Sequence, residues 1–177
     1  MIIAICGLAG SGKSEVRKFF EKNGFVYIHL GVTELIIEKH GKTNEKLERE
    51  MRKRMREEQG MDVMIQIALP KIVKLLKQKK KVVIDNLYSW GEYKTLRKKY
   101  PKTFFTIAVH ASPKIRHQRL EKRKFRGLDK KTALTRDYSH IEELDVGGPI
   151  VMADFHVINE GKKTDLEKQL EDMYSQL

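Results

Sequence analysis

The sequence predicts an α/β fold, with one parallel sheet of five strands carrying helices on both faces. Three observations point there. Short apolar runs alternate with stretches of helical spacing, the pattern of strand-helix-strand units. A glycine-rich segment, Gly7 to Ser14, joins the first apolar run to the first helical stretch. A later run, Val82-Val83-Ile84, ends in the carboxylate of Asp85, which places a charge at the end of a buried strand.

Along the chain, Ile2 to Cys6 reads as a buried strand and Glu15 to Asn23 as a helix that Asn23-Gly24 stops. Phe25 to Leu30 is a second strand. Leu47 to about Lys77 has helical spacing and predicts two helices, broken near Gly60 and bent or restarted near Pro70. Val82 to Asp85 is the third strand, Gly91 to Tyr100 a helix, and Phe104 to Val109 the fourth strand. Ser112-Pro113 opens a helix, with serine as N-cap and proline at the first helical position. Phe155 to Ile158 is the last strand, and Thr164 to Glu167 fits a T-x-x-E capping box for a C-terminal helix. With no repeats, linker or low-complexity tract, the 177 residues read as one domain.

Composition narrows the class. The chain is 40% apolar and 34% charged, as a globular protein is. No run approaches the roughly 18–20 apolar residues of a membrane span. Met1 leads straight into Ile2-Ile3-Ala4-Ile5, with neither a basic leader nor a small-residue cleavage site, so a cytoplasmic location is expected. The single cysteine, Cys6, lies in an apolar run and reads as a core residue. The six histidines are scattered without the paired spacing of zinc motifs. A net charge of +12 fits either a nucleic-acid face or a protein that handles polyanionic small molecules.

The segment Gly7-Leu8-Ala9-Gly10-Ser11-Gly12-Lys13-Ser14 matches the phosphate-loop pattern, two glycines with four residues between them followed by Lys and Ser. Glycines let successive backbone N–H groups point at phosphate oxygens, and the following helix offers its N-terminus to the same anion. Lys13 is placed to reach the β- and γ-phosphates of ATP, and Ser14 to hold Mg²⁺. Asp85 should sit at the carboxyl edge of the sheet, where ligands bind in such folds, as the carboxylate that holds Mg²⁺ directly or through water. The fold expected is therefore the three-layer P-loop NTPase fold.

These pieces, with VVIDN and Tyr88-Ser89 after it, AVHASPKIRHQRLEKR, TRDYSHIEEL and ADFHVINEG, resemble small kinase-like P-loop proteins of archaea and some bacteria. That family lies near dephospho-CoA kinases and nucleoside monophosphate kinases. The resemblance implies a core, a helical acceptor-binding segment at about 31–70 and a lid at about 124–136 with Gly127 as a flexible point. It implies that Arg119, Arg123, Arg126 and Arg136 are candidates to clamp the transferring phosphate, whose charge guanidinium groups neutralise. It places Asn159 and Gly161 beside the adenine. It makes Arg56 the acceptor-binding candidate, with Arg49, Arg52, Lys53 and Arg54 as a solvated helix face. Two departures stand out. His29 to Glu34 lacks the acidic residue dephospho-CoA kinases carry after the second strand, with Glu34 the nearest substitute. Asn86, Leu87 and Tyr88 replace the Gly and Arg of many relatives, so Tyr88 and Trp90 either stack on a base or pack under the acceptor segment.

The reading that follows is phosphoryl transfer from Mg·ATP to a small phosphorylated or nucleotide-like acceptor, dephospho-CoA or a nucleoside monophosphate. A nucleic-acid-associated P-loop ATPase is the alternative, not the favoured one, because no dedicated nucleic-acid-binding signature is present. A nucleotide-binding protein without turnover is the third. Monomer and dimer are both open.

Overall fold

The computed structural model describes residues 1–124 and 127–177. Five parallel strands form one sheet in the order β2-β3-β1-β4-β5. They are β1 (Ile2–Cys6), β2 (Phe25–His29), β3 (Lys81–Asp85), β4 (Phe104–His110) and β5 (Phe155–Ile158). In β1 all five side chains are fully buried, as a parallel strand covered on both faces requires. Its register sets Ile2 beside Val82 on one side and Phe104 on the other.

Alternation along β1 divides the core. Ile2, Ala4 and Cys6 face one layer, with Ile36, Ile72 and Leu96. Ile3 and Ile5 face the other, with Val16, Phe20, Leu166 and Leu170. The second layer is built by α1 (Lys13–Lys22) and α9 (Lys163–Tyr174). The first holds α2 (Thr33–His40), α3 (Glu45–Gln59), α4 (Val63–Lys77), α5 (Trp90–Lys99) and the short α8 (Gly147–Val151). Between β4 and β5, α6 (Pro113–Glu121) and α7 (Lys130–Glu142) pack on each other beside the loop after β1. Among the described residues, no helix is long and apolar enough to cross a membrane. Burial pushes the Cys6 thiol up to about 12, so it is an inert core group.

Several elements differ from the sequence expectation. Helix α1 begins at Lys13, because Gly12 at φ +102° serves as its N-cap. Strand β2 ends at His29, one residue early. Helix α4 runs through Pro70 without restarting, since that residue is exposed and the carbonyl deprived of its donor can turn to water. Helix α2 was not expected as a separate element, and neither were α7 and α8. Residues 130–136 of the expected lid are the first turns of α7, with Ala133 fully buried. Ser112 and Pro113 open α6 as expected, but the serine hydroxyl makes no cap; its N–H donates to the Glu160 carboxylate instead. Helix α9 starts one residue before Thr164, and the carboxylate that caps it is Asp165, accepting from the Lys162 N–H at 2.9 Å.

Candidate active site

The carboxyl ends of the strands converge on the loop between β1 and α1. Its path needs glycine. At Gly10 (φ +81°) a Cβ would lie 2.5 Å from the Arg116 carbonyl oxygen, and at Gly12 one would lie 2.0 Å from Asn159 Nδ2. Asn159 Nδ2 donates to the Ser11 carbonyl at 2.8 Å, while its own N–H donates to the His110 carbonyl at the end of β4. On the other side, Arg116 Nη1 donates to the Ala9 carbonyl at 3.1 Å. The loop is thus pinned from β5 and from α6.

Arg116 is itself fixed. It makes a two-pronged ion pair with Asp137 of α7, both contacts 2.8 Å and both side chains buried, and Nε donates to the Ala111 carbonyl. Burial alone would raise the Asp137 carboxyl, but hydrogen bonds from Arg116 and His117 outweigh it and hold the group below the usual carboxylate range.

A cavity of about 180 Å³ opens over the loop. It is lined by Ala9, Gly10, Gly12, Lys13 and Ser14 from the loop and the start of α1, by Asp85, Asn86 and Tyr88 after β3, and by Arg123 and Arg136. The Lys13 ammonium arches over the loop, donating to the Gly7 (2.9 Å) and Leu8 (3.1 Å) carbonyls, 5.3 Å from the Tyr88 ring centre. Ser11 Oγ is buried and without a hydrogen-bond partner.

Asp85 is held by neighbours the sequence did not single out. Its Oδ1 accepts from the Tyr27 hydroxyl at 2.9 Å and from Asn86 Nδ2 at 3.2 Å, and its Oδ2 lies 3.6 Å from Arg17 Nη1. Burial, then the adjacent Asp85 carboxylate, push the Tyr27 phenol above its usual range, so it stays a donor. His29 ends β2; its Nδ1 is 3.0 Å from the Tyr27 hydroxyl and 3.5 Å from Asp85. The Glu34 side chain and all of Arg126 lie outside the described residues. The donor set fits Mg²⁺. The hydroxyl of Ser14 and the carboxylate of Asp85 are hard oxygen ligands on one small cavity, and Asp85's existing partners suit a largely water-filled coordination shell.

A second cavity of about 450 Å³ lies between α3 and α7, and Arg136 lines both. Arg56 lines it and pairs with the buried Glu92 of α5 at 3.5 Å. Arg52 lines it too, 3.4 Å from the buried Glu48, so it is not part of a solvated face as the sequence suggested. Arg54 does belong to such a face, paired with Glu58 in solvent. Tyr88 packs against His140 (4.7 Å between ring centres) and donates to Asn86, whereas Trp90 stacks on Tyr93 in the core layer. Burial, then the nearby cations Arg136 and Lys13, lower the His140 pKa to about 3.

The structure therefore brings together Lys13, Ser14, Asp85, Tyr88, Arg123 and Arg136 around one cavity, and Arg56 beside it. Arg119 on α6 lines neither cavity, and its Nη1 is buried without a partner. Gly161 lies beyond Asn159, before α9. The sequence reading missed Arg17, Tyr27, Glu92, Arg116, Asp137 and His140. Only Arg17 carried a local signal, one turn beyond Ser14 on the same helix.

A family model described as an AAA domain matches residues 3–143. A UPF0200 protein of Pyrococcus furiosus is 34% identical over 184 residues, covering 100% of this chain and 97% of its own. One from Thermococcus gammatolerans is 33% identical over 186 residues, covering 100% and 95%. Among solved structures, a shikimate kinase from Bacteroides thetaiotaomicron superposes with a TM-score of 0.62 at 16% identity, covering 99% of this chain and 97% of its own. A dephospho-CoA kinase from Campylobacter jejuni gives 0.61 at 16% identity, covering 99% and 96%. A gluconokinase from Sinorhizobium meliloti gives 0.58 at 18% identity, covering 98% and 95%. At these identities the likeness shows the fold, which is that of P-loop kinases.

Proposed function

The chain belongs to the AAA-domain family and groups with the UPF0200 proteins, and we propose that it is a kinase that moves the γ-phosphoryl group of Mg·ATP onto a small nucleotide-like acceptor, dephospho-CoA or a nucleoside monophosphate. The observation that carries this reading is the pair of cavities sharing Arg136, one over the phosphate loop and one large enough for a second small molecule.

In this reading the loop N–H groups, Gly7 to Ser14, cradle the phosphates, and Lys13 moves from its carbonyl contacts onto the β- and γ-oxygens. Ser14 and Asp85 would hold Mg²⁺, which when bound would offset the charge on the phosphates. Arg123 and Arg136 serve the transferring group, where charge spreads over three oxygens, and Arg126 is the further candidate for that role. Asn159 and Gly161 border the adenine side. Residues 31–70 carry Arg56 to the acceptor, beside Tyr88, and 124–136 act as a lid that excludes water.

The test is acceptor-dependent ADP formation by the purified protein with Mg·ATP, scored with Lys13→Ala as control. ATP binding without acceptor-dependent turnover across a broad panel of phosphorylated and hydroxyl compounds would overturn the proposal.

A further inference from the structure

Resting on that reading, we infer that the acceptor is itself a phosphomonoester and that its phosphate, not a hydroxyl, receives the transferred group. The reaction would then make a phosphoanhydride.

The first support is a built anion site. Arg52 and Arg56 of α3 and Arg136 of α7 line the larger cavity, and Arg136 also lines the phosphate cavity, so an anion held there sits next to the incoming γ-phosphate. The Arg56 side chain is only 9% exposed, and its Nε is buried with no hydrogen-bond partner. Glu92 engages one Arg56 nitrogen, and the salt bridge of Glu48 engages one of Arg52. A guanidinium has five N–H donors, so donors remain. Burial lowers the Arg52 pKa, and the proximity of Arg56 and Arg136 lowers it further, against the pull of Glu48. Three guanidinium groups close enough to repel one another are relieved best by a compact dianion with several acceptor oxygens. The rest of the cavity suits a nucleoside, with Met61, Leu128 and Leu144 as apolar wall and the hydroxyl-bearing Thr132, Thr135 and Ser139 on α7.

The second support is the supply of bases. A hydroxyl acceptor must lose its proton as it attacks, which calls for a positioned base. Among the described residues, the carboxylates lining the two cavities are Asp85, Glu57 and Glu143. Asp85 is committed to Tyr27, Asn86 and Arg17. Glu57 is exposed opposite Lys53, and Glu143 accepts from Ser139. His140 is held neutral with a pKa of about 3, too weak a base for a hydroxyl. A phosphomonoester has a second pKa of about 6, so at neutral pH it arrives already deprotonated. One of its oxygens forms the bond to the γ-phosphorus, the bond from that phosphorus to the β,γ-bridging oxygen breaks, and ADP leaves with the electron pair. No proton moves.

The experiment supplies Mg·ATP with AMP, CMP, GMP or UMP, with the matching nucleosides, and with dephospho-CoA, and identifies products by mass and phosphorus NMR. The expected result is a nucleoside diphosphate from at least one monophosphate and nothing from the nucleosides. In calorimetric titration that monophosphate should bind at least about tenfold tighter than its nucleoside, and Arg52→Gln should erase the difference. Arg136→Gln is the second variant, because Arg52→Gln removes an ion-pair partner of the buried Glu48. Phosphorylation of a hydroxyl on dephospho-CoA or a nucleoside would overturn the phosphate-acceptor inference while leaving the kinase reading intact. Equal affinity for monophosphate and nucleoside would also overturn it. Absence of any acceptor-dependent ADP would overturn both.

Discussion

Removing the carboxylate of Asp137 should damage both the fold and nucleotide binding. Asp137 accepts two 2.8 Å bonds from Arg116 and lies 2.9 Å from His117 Nε2, with the Arg116 side chain 3% and that of Asp137 7% exposed. Asp137→Ala leaves the Arg116 charge buried and unpaired, a loss of about 3–5 kcal/mol. That is a large part of a total stability of about 5–15 kcal/mol. At about 2–4 °C per kcal/mol for a chain of this size, Tm should fall by about 6–20 °C. The double variant Arg116→Met, Asp137→Leu separates the two effects. Apolar replacement of a buried ion pair is often close to neutral, so most stability should return. The Ala9 carbonyl, however, still lacks its donor from Arg116, at a cost of about 1–3 kcal/mol borne by the phosphate loop. ATP should therefore bind about tenfold more weakly to the stable double variant. Urea denaturation and calorimetric ATP titration read the two quantities. A loss of under about 1 kcal/mol in the single variant, or full ATP affinity in the double, would refute the clamp.

The remaining predictions concern the site. Lys13→Ala should cut turnover by about 10²–10³-fold while leaving the urea midpoint nearly unchanged, since its ammonium hydrogen-bonds to the Gly7 and Leu8 carbonyls of the loop and otherwise lies over the Tyr88 ring; unaltered turnover would remove it from the phosphate site. Asp85→Asn should weaken ATP binding with Mg²⁺ more than without it; equal losses would make Asp85 a structural partner of Arg17 and Tyr27. His140 has a folded pKa of about 3, below its ordinary value near 6.5, so the unfolded chain binds the proton first and stability falls as pH drops below about 6.5. The slope should approach about 1.4 kcal/mol per pH unit from this residue, and His140→Gln should flatten it in urea titrations between pH 7 and 4; identical slopes would refute the assignment.

Much of the fold was legible because its strands are coded locally. Ile2–Cys6 has the bounds its apolar run suggested, since a strand buried on both faces must be apolar throughout, and Phe155–Ile158 also has its expected bounds, although only Val157 in it is buried. Helix α7 was not legible because its buried face consists of Ala133, Asp137 and His140. No apolar stripe marks such a helix, and only the Asp129 cap, accepting from the Thr132 N–H, announces its start. Helix α2 is two turns long behind Val32, a residue that cannot cap, and its surest mark is the fully buried Ile36.

The phosphate site was legible for a different reason. Its loop, lysine and serine are adjacent in sequence because one backbone turn must aim all of them at one anion. The larger cavity has no such constraint. Arg52 and Arg54 stand two residues apart in one charged helix, yet Arg54 ends in a solvent pair with Glu58 while Arg52 faces a cavity and Arg136. What separates them is where α3 is docked, and that depends on buried Glu48 and Glu92, which in sequence look like any other surface acid. A buried carboxylate that engages one nitrogen of an arginine lowers the cost of burying that charge without using up its donors. At Arg116 and Asp137 the pairing uses two nitrogens and fixes the loop, whereas at Arg56 and Glu92 it uses one and leaves Nε without a partner beside the larger cavity. On the proposed reading, the acids that the fold buries decide which arginine is held still and which keeps donors to spare for a phosphate.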